Sequence, residues 1–288
     1  MTIYNSMDSI LNIERLQNEI CNFRKLVIEN SDNKDFDKSI LNILSAISLS
    51  IPYKLSGRVY RIRKIVNHET HTLKQDLWAP PCSCVKTLGR ANLPGESILY
   101  TSFCIDTAID EVRLSPGDHF SLAIYNFNEN KYPNNNLFFV NNENVYDPTF
   151  TFKENTYFAI LNQFLFEELT AWVKEDNNRH YNITNIIIKN ILKKYKKKGV
   201  IYPSVFDSTK YNLAINENYA SDILELSNVF TFEYFLKSES TYYLRLYQEG
   251  IISPITDIIN YKESKEKDRI LPIIFSGNVV FEPKCYIF

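Results

Sequence analysis

Three residues of this sequence have the types and the spacing that could support chemistry: Arg90, Tyr100 and Glu111. The arginine follows Gly89 in a loop, and the tyrosine lies within the apolar stretch 97–103, which is typical of a strand. The glutamate lies in the short helical stretch that follows this strand. A loop, a strand and a helix can therefore bring a guanidinium, an aromatic face and a carboxylate to one cleft.

The elements that must position these side chains are predicted from the spacing of apolar residues. Spacings of three and four predict helices over residues 7–29, 36–49, 155–174 and 181–198, besides the short helix that carries Glu111. Alternating and continuous apolar runs predict strands that start at residue 57 and cover residues 97–103, 119–127, 137–140, 200–205 and 211–215, with two more in 229–247 and one at 270–275. This mixture predicts the α+β class.

A change of pattern near Pro52 predicts two parts of the chain. Residues 1–52 are interpreted as a helical N-terminal extension, and residues 57–288 as the catalytic domain. The extension contains no residue suited to catalysis. Whether it caps the sheet, forms a dimer contact or binds an inhibitor is left open by the sequence.

The composition excludes several classes of protein. With 32 basic and 34 acidic residues, the chain has no basic field of the kind that attracts nucleic acids or membrane surfaces. Its seven glycines do not form a phosphate-binding loop of the GxGxxG or GxxxxGK[ST] type. The five cysteines are scattered, and there is no signal peptide and no apolar run of eighteen residues. We therefore expect a soluble cytoplasmic protein without a membrane partner or a direct nucleic-acid partner.

A metal site is considered at His68, His71, Cys82 and Cys84, which form the pattern HxxH-x10-CxC. Structural zinc sites more often space their cysteines by two to four residues, and a CxC pair leaves little room for tetrahedral geometry. We predict that these four residues bind no metal.

The sequence resembles the RES domain family over roughly residues 57–235. The resemblance is carried by GRANLPGESILYTS, TAIDEVR, GVIYPS and YNLAI in this order. The family pattern has an arginine, a tyrosine ten residues later, a glutamate eleven residues after that, and a distant serine at a strand end. Arg90, Tyr100, Glu111 and Ser204 match it, and Asn212 lies where the family commonly has an asparagine. Each residue alone would suggest only a surface or core position; their joint spacing favours function.

This resemblance implies a fold similar to the ADP-ribosyltransferase core, in which two packed sheets flanked by helices bind NAD+ in the cleft between them. Family members are toxins of toxin–antitoxin pairs that destroy NAD+ by hydrolysis or by phosphorolysis. The chain is then expected to use NAD+ as a substrate, with inorganic phosphate as a co-substrate in the second case, and to need no cofactor. A helix-turn-helix antitoxin that covers the active site is the implied partner, and a homo-oligomer is left open.

The resemblance assigns catalytic roles to Arg90, Tyr100, Glu111 and Ser204. A carboxylate beneath the ribose stabilises the oxocarbenium character that develops when nicotinamide leaves, and Glu111 is the candidate. Arg90 offers a planar fork of donors to the pyrophosphate or to a ribose oxygen. Tyr100 offers an aromatic face for nicotinamide, and Ser204 offers a hydrogen bond to a ribose hydroxyl or to the carboxamide.

Three further residues are predicted to bind substrate: Arg61, Asn92 and Asn212. Arg61 would hold a second phosphate or pair with an acid of the sheet, and Asn212 would bond to the same groups as Ser204. Asn92 also suits the turn geometry of its own loop. Two alternatives to NAD+ hydrolysis or phosphorolysis remain: ADP-ribosyl transfer to a macromolecular acceptor, and a non-catalytic interaction module with the same fold.

Overall fold

The computed structural model of the protein describes residues 12–29, 32–45, 53–54, 57–67, 69–128, 136–140, 148, 150–171, 178–239, 241–265, 267, 269–273 and 282–283. The helices are α1 Ile13–Glu29, α2 Asn33–Leu44, α3 Ile105–Val112, α4 Phe152–Thr170, α5 Asn178–Lys194 and α6 Glu217–Ile223. Two 3₁₀ turns, Lys74–Asp76 and Cys82–Cys84, interrupt the proline-containing loop before Arg90.

The strands build one large sheet and one small one. They are β1 Tyr53–Lys54, β2 Arg58–Lys64, β3 Ile98–Ser102, β4 His119–Phe127, β5 Leu137–Phe139, β6 Gly199–Pro203, β7 Tyr211–Asn216, β8 Leu224–Ser238, β9 Thr241–Ile252, β10 Ile259–Glu263, β11 Ile270–Ile273 and β12 Glu282–Pro283. The large sheet has the order β10-β9-β8-β4-β2-β3-β7-β6-β5, with β11 also paired to β9, and β1 pairs with β12. The α+β class is confirmed.

The large sheet consists of two halves that are joined at one point. Strands β2 and β3 share the single pair Tyr60 and Ser102, whereas β2 and β4 are paired along all of β2. One apolar cluster nevertheless takes side chains from both halves, including Val59, Leu99 and Leu213. The two packed sheets expected from the sequence are therefore the two halves of one continuous sheet.

Helices cover the opposite face of both halves, with α3 on one half and α4 and α5 on the other. The strip of β3, β7 and β6 between these helices is called the groove below. Helix α3 packs on β2 and β4 through Ile105 and Ile109. Helices α4 and α5 pack on β3, β7 and β6, where Val200 and Ala214 belong to their apolar cluster. Because Tyr60 pairs with Ser102, the residues under α3 and those under α4 and α5 lie on the same face of the sheet.

The N-terminal helices α1 and α2 pack on the outer side of α4 and α5. The ring of Phe23 makes edge-to-face contacts with Phe36 and Phe164, at centroid distances of 5.5 and 5.2 Å. Asn190 of α5 donates a hydrogen bond of 2.8 Å to Asp37 of α2. The predicted boundary between residues 1–52 and 57–288 stays a prediction, although these two parts share one apolar cluster.

Most predicted elements are present, and the differences have local causes. Helix α4 begins at Phe152 rather than at 155, because Thr151 and Glu154 form a capping box that the periodicity does not reveal. Strand β8 begins at Leu224 rather than at 229, where it continues to pair with β4. Helix α6 and strand β10 were not predicted, and residues 7–11 and 46–49 lie outside the described residues. In the described part of the chain, no helix is both long and apolar enough to cross a membrane.

Candidate active site

The carboxylate of Glu111 is held in the groove by two neutral donors. The hydroxyl of Ser204 and the side-chain amide of Asn212 both donate hydrogen bonds to Glu111 Oε1, at 2.9 and 2.6 Å. Ser204 and Asn212 are buried, with exposed fractions of 0% and 4%, whereas Glu111 itself is exposed. One oxygen of the carboxylate is therefore fixed by rigid partners while the residue remains accessible from solvent.

The orientation of the Asn212 amide is fixed from below by Ser102. The Ser102 hydroxyl donates a hydrogen bond of 2.5 Å to Asn212 Oδ1, so that Nδ2 faces Glu111. Ser102 pairs with Asn212, and Asn212 pairs with Tyr202, so these three side chains lie in one row across β3, β7 and β6. Sequence analysis missed Ser102, although its position at the end of the strand that carries Tyr100 was a usable signal.

Arg90 lies at the C-terminal end of α4. Its Nη1 and Nη2 donate hydrogen bonds to the carbonyl oxygens of Leu169 and Ala171, at 3.0 and 3.2 Å. These carbonyls have no partner within the helix and carry its negative dipole end, which favours a cation. The guanidinium carbon also lies 5.6 Å from the centre of the Tyr181 ring, within the range of a cation–π contact.

Tyr100 and Asn92 hold the loop that carries Arg90. The Tyr100 hydroxyl donates to Asn92 Oδ1 at 2.8 Å and accepts from the backbone N–H of Ala91 at 2.9 Å. Burial raises the pKa of the Tyr100 hydroxyl well above its ordinary value, so the phenol stays neutral. Asn92 also donates to the carbonyl oxygens of Thr87 and Leu93, which confirms a role in shaping the loop. Its contact with a substrate stays a prediction.

The loop approaches these two side chains so closely that Gly89 has no room for a side chain. A Cβ atom at this position would lie 2.9 Å from the Tyr100 hydroxyl and closer still to Asn92 Oδ1. The glycine before Arg90 is thus required by packing rather than by a left-handed backbone.

Tyr202 lies near both the Glu111 group and the residues of the Arg90 loop. Tyr100 and Ser102 are two residues apart on one face of β3, so their Cα atoms are separated by about 7 Å. Tyr202 belongs to the cross-strand row of Ser102 and Asn212. Burial raises the pKa of the Tyr202 hydroxyl, and the nearby Tyr100 and Glu111 raise it further, while Arg90 lowers it. Within the described residues this hydroxyl makes no hydrogen bond, so it is available to a ligand. Tyr202 belongs to the GVIYPS motif, but sequence analysis predicted no role for it.

Six of the seven residues that sequence analysis selected for function thus form two adjoining groups in one groove, and Arg61 is the exception. A RES domain model matches residues 58–236 of this chain. The chain belongs to the RES domain family. No curated protein is similar enough to this chain to be identified as a relative.

The RES match contains both groups of the groove. It runs from β2 almost to the end of β8 and excludes α1, α2 and strands β9 to β12. RES membership is consistent with the ADP-ribosyltransferase-like fold and with a function of the toxin type that involves NAD+. It does not by itself define the reaction.

Arg61 lies on the other face of the large sheet, away from the groove. It alternates with Tyr60 and Ile62, which face α3, and pairs with Ala123 of the opposite cluster. Its Nη1 donates to the carbonyl oxygen of Tyr100 at 3.0 Å, and burial lowers its pKa. Among the ion pairs of the described residues none involves Arg61, so pairing with an acid is not seen. The structure does not bring this guanidinium to Glu111, and its contact with a phosphate stays a prediction.

The four residues that were considered as a metal site are only partly described. Cys82 and Cys84 are exposed, and the ring nitrogen Nδ1 of His71 lies 2.9 Å from the Ser121 hydroxyl oxygen. His68 lies outside the described residues. In the part of the chain that is described, no group of three or more His, Cys, Asp or Glu side chains could share a metal ion.

Proposed function

We propose that this RES protein cleaves NAD+ at the bond between nicotinamide and ribose, as the toxin of a toxin–antitoxin pair. The observation that carries this proposal is the Glu111 carboxylate, held by Ser204 and Asn212 in a groove that Arg90 and Tyr100 also line. A fixed negative charge beside a cation and aromatic rings suits a substrate with a positively charged nicotinamide ring and an anionic pyrophosphate.

Glu111 supplies the largest effect in this mechanism. When the bond from C1′ to the nicotinamide nitrogen breaks, its electron pair leaves with nicotinamide and positive charge develops on the ribose. A preorganised carboxylate stabilises that charge more than it stabilises neutral ribose, which lowers the barrier. Water then adds to C1′ and releases a proton, giving ADP-ribose; inorganic phosphate in its place gives ADP-ribose-1″-phosphate.

The remaining residues bind and orient the dinucleotide. Arg90 uses two of its N–H groups on helix carbonyls, and its other donors can serve the pyrophosphate. The Tyr202 hydroxyl lies near both groups and can bond to a ribose hydroxyl or to the carboxamide. In this mechanism Ser204 and Asn212 act first on Glu111, which revises the direct substrate contacts predicted from the sequence.

The deciding experiment is incubation of the purified protein with NAD+, in the presence and in the absence of phosphate. We expect free nicotinamide to appear together with ADP-ribose or, if phosphate attacks, ADP-ribose-1″-phosphate. ADP-ribose retained on a protein or nucleic acid would instead indicate a transferase. Intact NAD+ after several hours in both buffers would contradict the proposal and favour a non-catalytic module.

An inhibitory partner follows from this function, because free cleavage of cytoplasmic NAD+ stops growth. We expect a protein antitoxin that covers the exposed Glu111 side of the groove. Expression of the chain alone should arrest growth and lower cellular NAD+, and co-expression of the antitoxin, which is to be sought as a small gene beside this one, should restore both. A homo-oligomer would be seen in light scattering as a whole multiple of the mass of one chain.

A further inference from the structure

Asn185 is a buried polar residue of α5 that sequence analysis did not select. Its exposed fraction is 1%, and its side-chain Nδ2 donates hydrogen bonds of 2.7 Å to two carbonyl oxygens, those of Gly89 and Asn92. Both acceptors belong to the loop that carries Arg90. One amide group therefore clamps the first and the last residue of this four-residue loop.

The chemistry of these contacts requires a side chain with two N–H donors at position 185, and the amide of Asn185 supplies them. Two carbonyl oxygens can only accept, so the group that faces them must supply two N–H donors. Asn185 Oδ1 has no hydrogen-bond partner in the described part of the chain, so the side chain acts here as a donor alone. A buried oxygen without a hydrogen-bond partner lowers the stability of the fold. The presence of Asn185 despite this loss indicates that the two hydrogen bonds of its Nδ2 are needed.

The clamp completes the fixation of the loop backbone on both sides of Arg90. Gly89 N–H bonds to Asn92 O at 3.0 Å, and Ala91 N–H bonds to the Tyr100 hydroxyl at 2.9 Å. Tyr181, whose ring lies near the Arg90 guanidinium, is four residues before Asn185 on the same face of α5. Helix α5 therefore contacts both the backbone of the loop and the side chain that the loop presents.

We propose that Asn185 is a positioning residue for NAD+ cleavage, which holds the Arg90 loop so that the guanidinium meets the anionic part of the dinucleotide. This inference rests on the proposed function, since it concerns the same groove. Asn185 touches no reacting atom and acts through Arg90. Its loss should weaken the contribution of Arg90 without removing the Glu111 charge.

A double-mutant cycle tests this role. We expect Asn185→Ala to lower kcat/KM for NAD+ by about 10- to 100-fold, mainly through KM, because two buried hydrogen bonds to the loop are lost. In an Arg90→Ala background the same substitution should cost less than about threefold. Equal losses in both backgrounds would overturn the proposal, because a purely structural defect would add to the loss of Arg90.

Asn190→Ala is the matched control. Asn190 lies on the same helix and is also buried, but it bonds to Asp37 and to the Ile186 carbonyl oxygen instead of the loop. We expect Asn190→Ala to reduce thermal stability to a similar extent and to leave kcat/KM within about twofold of the wild type. A loss of activity as large as that of Asn185→Ala would count against a specific role for Asn185.

Hydrogen exchange gives a readout that does not depend on activity. The backbone N–H groups of Gly89 and Ala91 should exchange faster in Asn185→Ala and at the wild-type rate in Asn190→Ala. If the wild type leaves NAD+ intact, the proposed function fails while this exchange result still decides whether the clamp exists. If Asn185→Ala does not fold, Asn185→Ser keeps one donor and should give an intermediate loss; wild-type exchange and activity in that variant would overturn the inference.

Discussion

At the residue scale, the candidate site depends on how the Glu111 carboxylate is held. Two buried donors bond to the same oxygen, and one of them, Asn212, is itself oriented by Ser102. A charge that is fixed before the reaction needs no reorganisation when positive charge develops on the ribose in the proposed reaction. The chain from Ser102 through Asn212 to Glu111 therefore extends the site beyond the residues of the RES pattern.

The Glu111→Gln variant should lose at least about a thousandfold in kcat, because the substitution removes the negative charge but keeps the volume and the acceptor oxygen. Its thermal unfolding should change little. Nicotinamide release and a melting curve measured on the same protein check both statements. Asp110→Asn, one position earlier on α3, is the matched control, since Asp110 pairs with Lys237 at 3.1 Å rather than with the groove. Near-normal turnover in Glu111→Gln would refute the role of this carboxylate.

The Ser102→Ala variant tests the support of Asn212. Without its partner the amide of Asn212 can rotate, and we expect kcat to fall about tenfold with a loss of about 1 kcal/mol in the free energy of unfolding. Thr101→Val at the adjacent buried position is the control, because the Thr101 hydroxyl has no partner in the described part of the chain. Equal kinetics in the two variants would show that Ser102 does not orient the site.

At the scale of elements, the end of α4 combines a cation site with a titratable acid. The carbonyl of Leu169 accepts from Arg90, and the preceding residue, Glu168, is half-buried. Burial raises the pKa of the Glu168 carboxyl to about 7, while Arg24 lowers this pKa and Glu167 raises it. The folded protein therefore holds this proton over a pH range in which the unfolded chain has lost it.

This difference predicts a pH-dependent stability. Below about pH 4.5 Glu168 is protonated in both the folded and the unfolded state and does not affect stability. As the pH rises from about 4.5 to about 7, the unfolded chain loses this proton first, so the free energy of unfolding decreases. Glu168→Gln should then stabilise the fold by an amount on the order of 1–3 kcal/mol at about pH 8 and by almost nothing near pH 4. Urea unfolding at several pH values measures this difference in the free energy of unfolding. Glu225→Gln is the control, because Glu225 is exposed. A stability difference that does not change with pH would contradict this account.

At the scale of the whole molecule, the N-terminal helices support the elements that present Arg90. Helices α1 and α2 contact α4 and α5, and these two supply the carbonyls and the amide that hold the Arg90 loop. Of the roles left open for residues 1–52, capping is the one that fits this packing, although it acts on helices rather than on the sheet. A dimer contact or an inhibitor site on these helices stays untested.

Phe23→Ala should destabilise the whole protein by about 3–5 kcal/mol, because the ring is fully buried between Phe36 and Phe164. Circular dichroism and tyrosine fluorescence should report one common transition, since both parts of the chain share a single cluster. Ile28→Ala on the same helix is the control, because this side chain is 82% exposed. Two separate transitions would show that the N-terminal extension is an independent unit.

The sequence by itself determined the α+β class, the RES membership and the position of most helices and strands. It could do so because local periodicity and the spacing of Arg90, Tyr100 and Glu111 are properties of short segments. The period of two on β2 also implies that Arg61 faces away from Tyr60 and Ile62.

Only the tertiary structure decided which side chains support the site. Ser102 meets Asn212 through the register of two strands that are 110 residues apart in the chain, and Asn185 meets Gly89 across 96 residues. Tyr202 joins their row through a third strand. Such contacts depend on how elements dock, which local patterns do not encode, because many pairings satisfy the same periodicity. The sequence therefore identified the residues of the RES pattern, and the packing of β3, β7, β6 and α5 identified the residues that hold them.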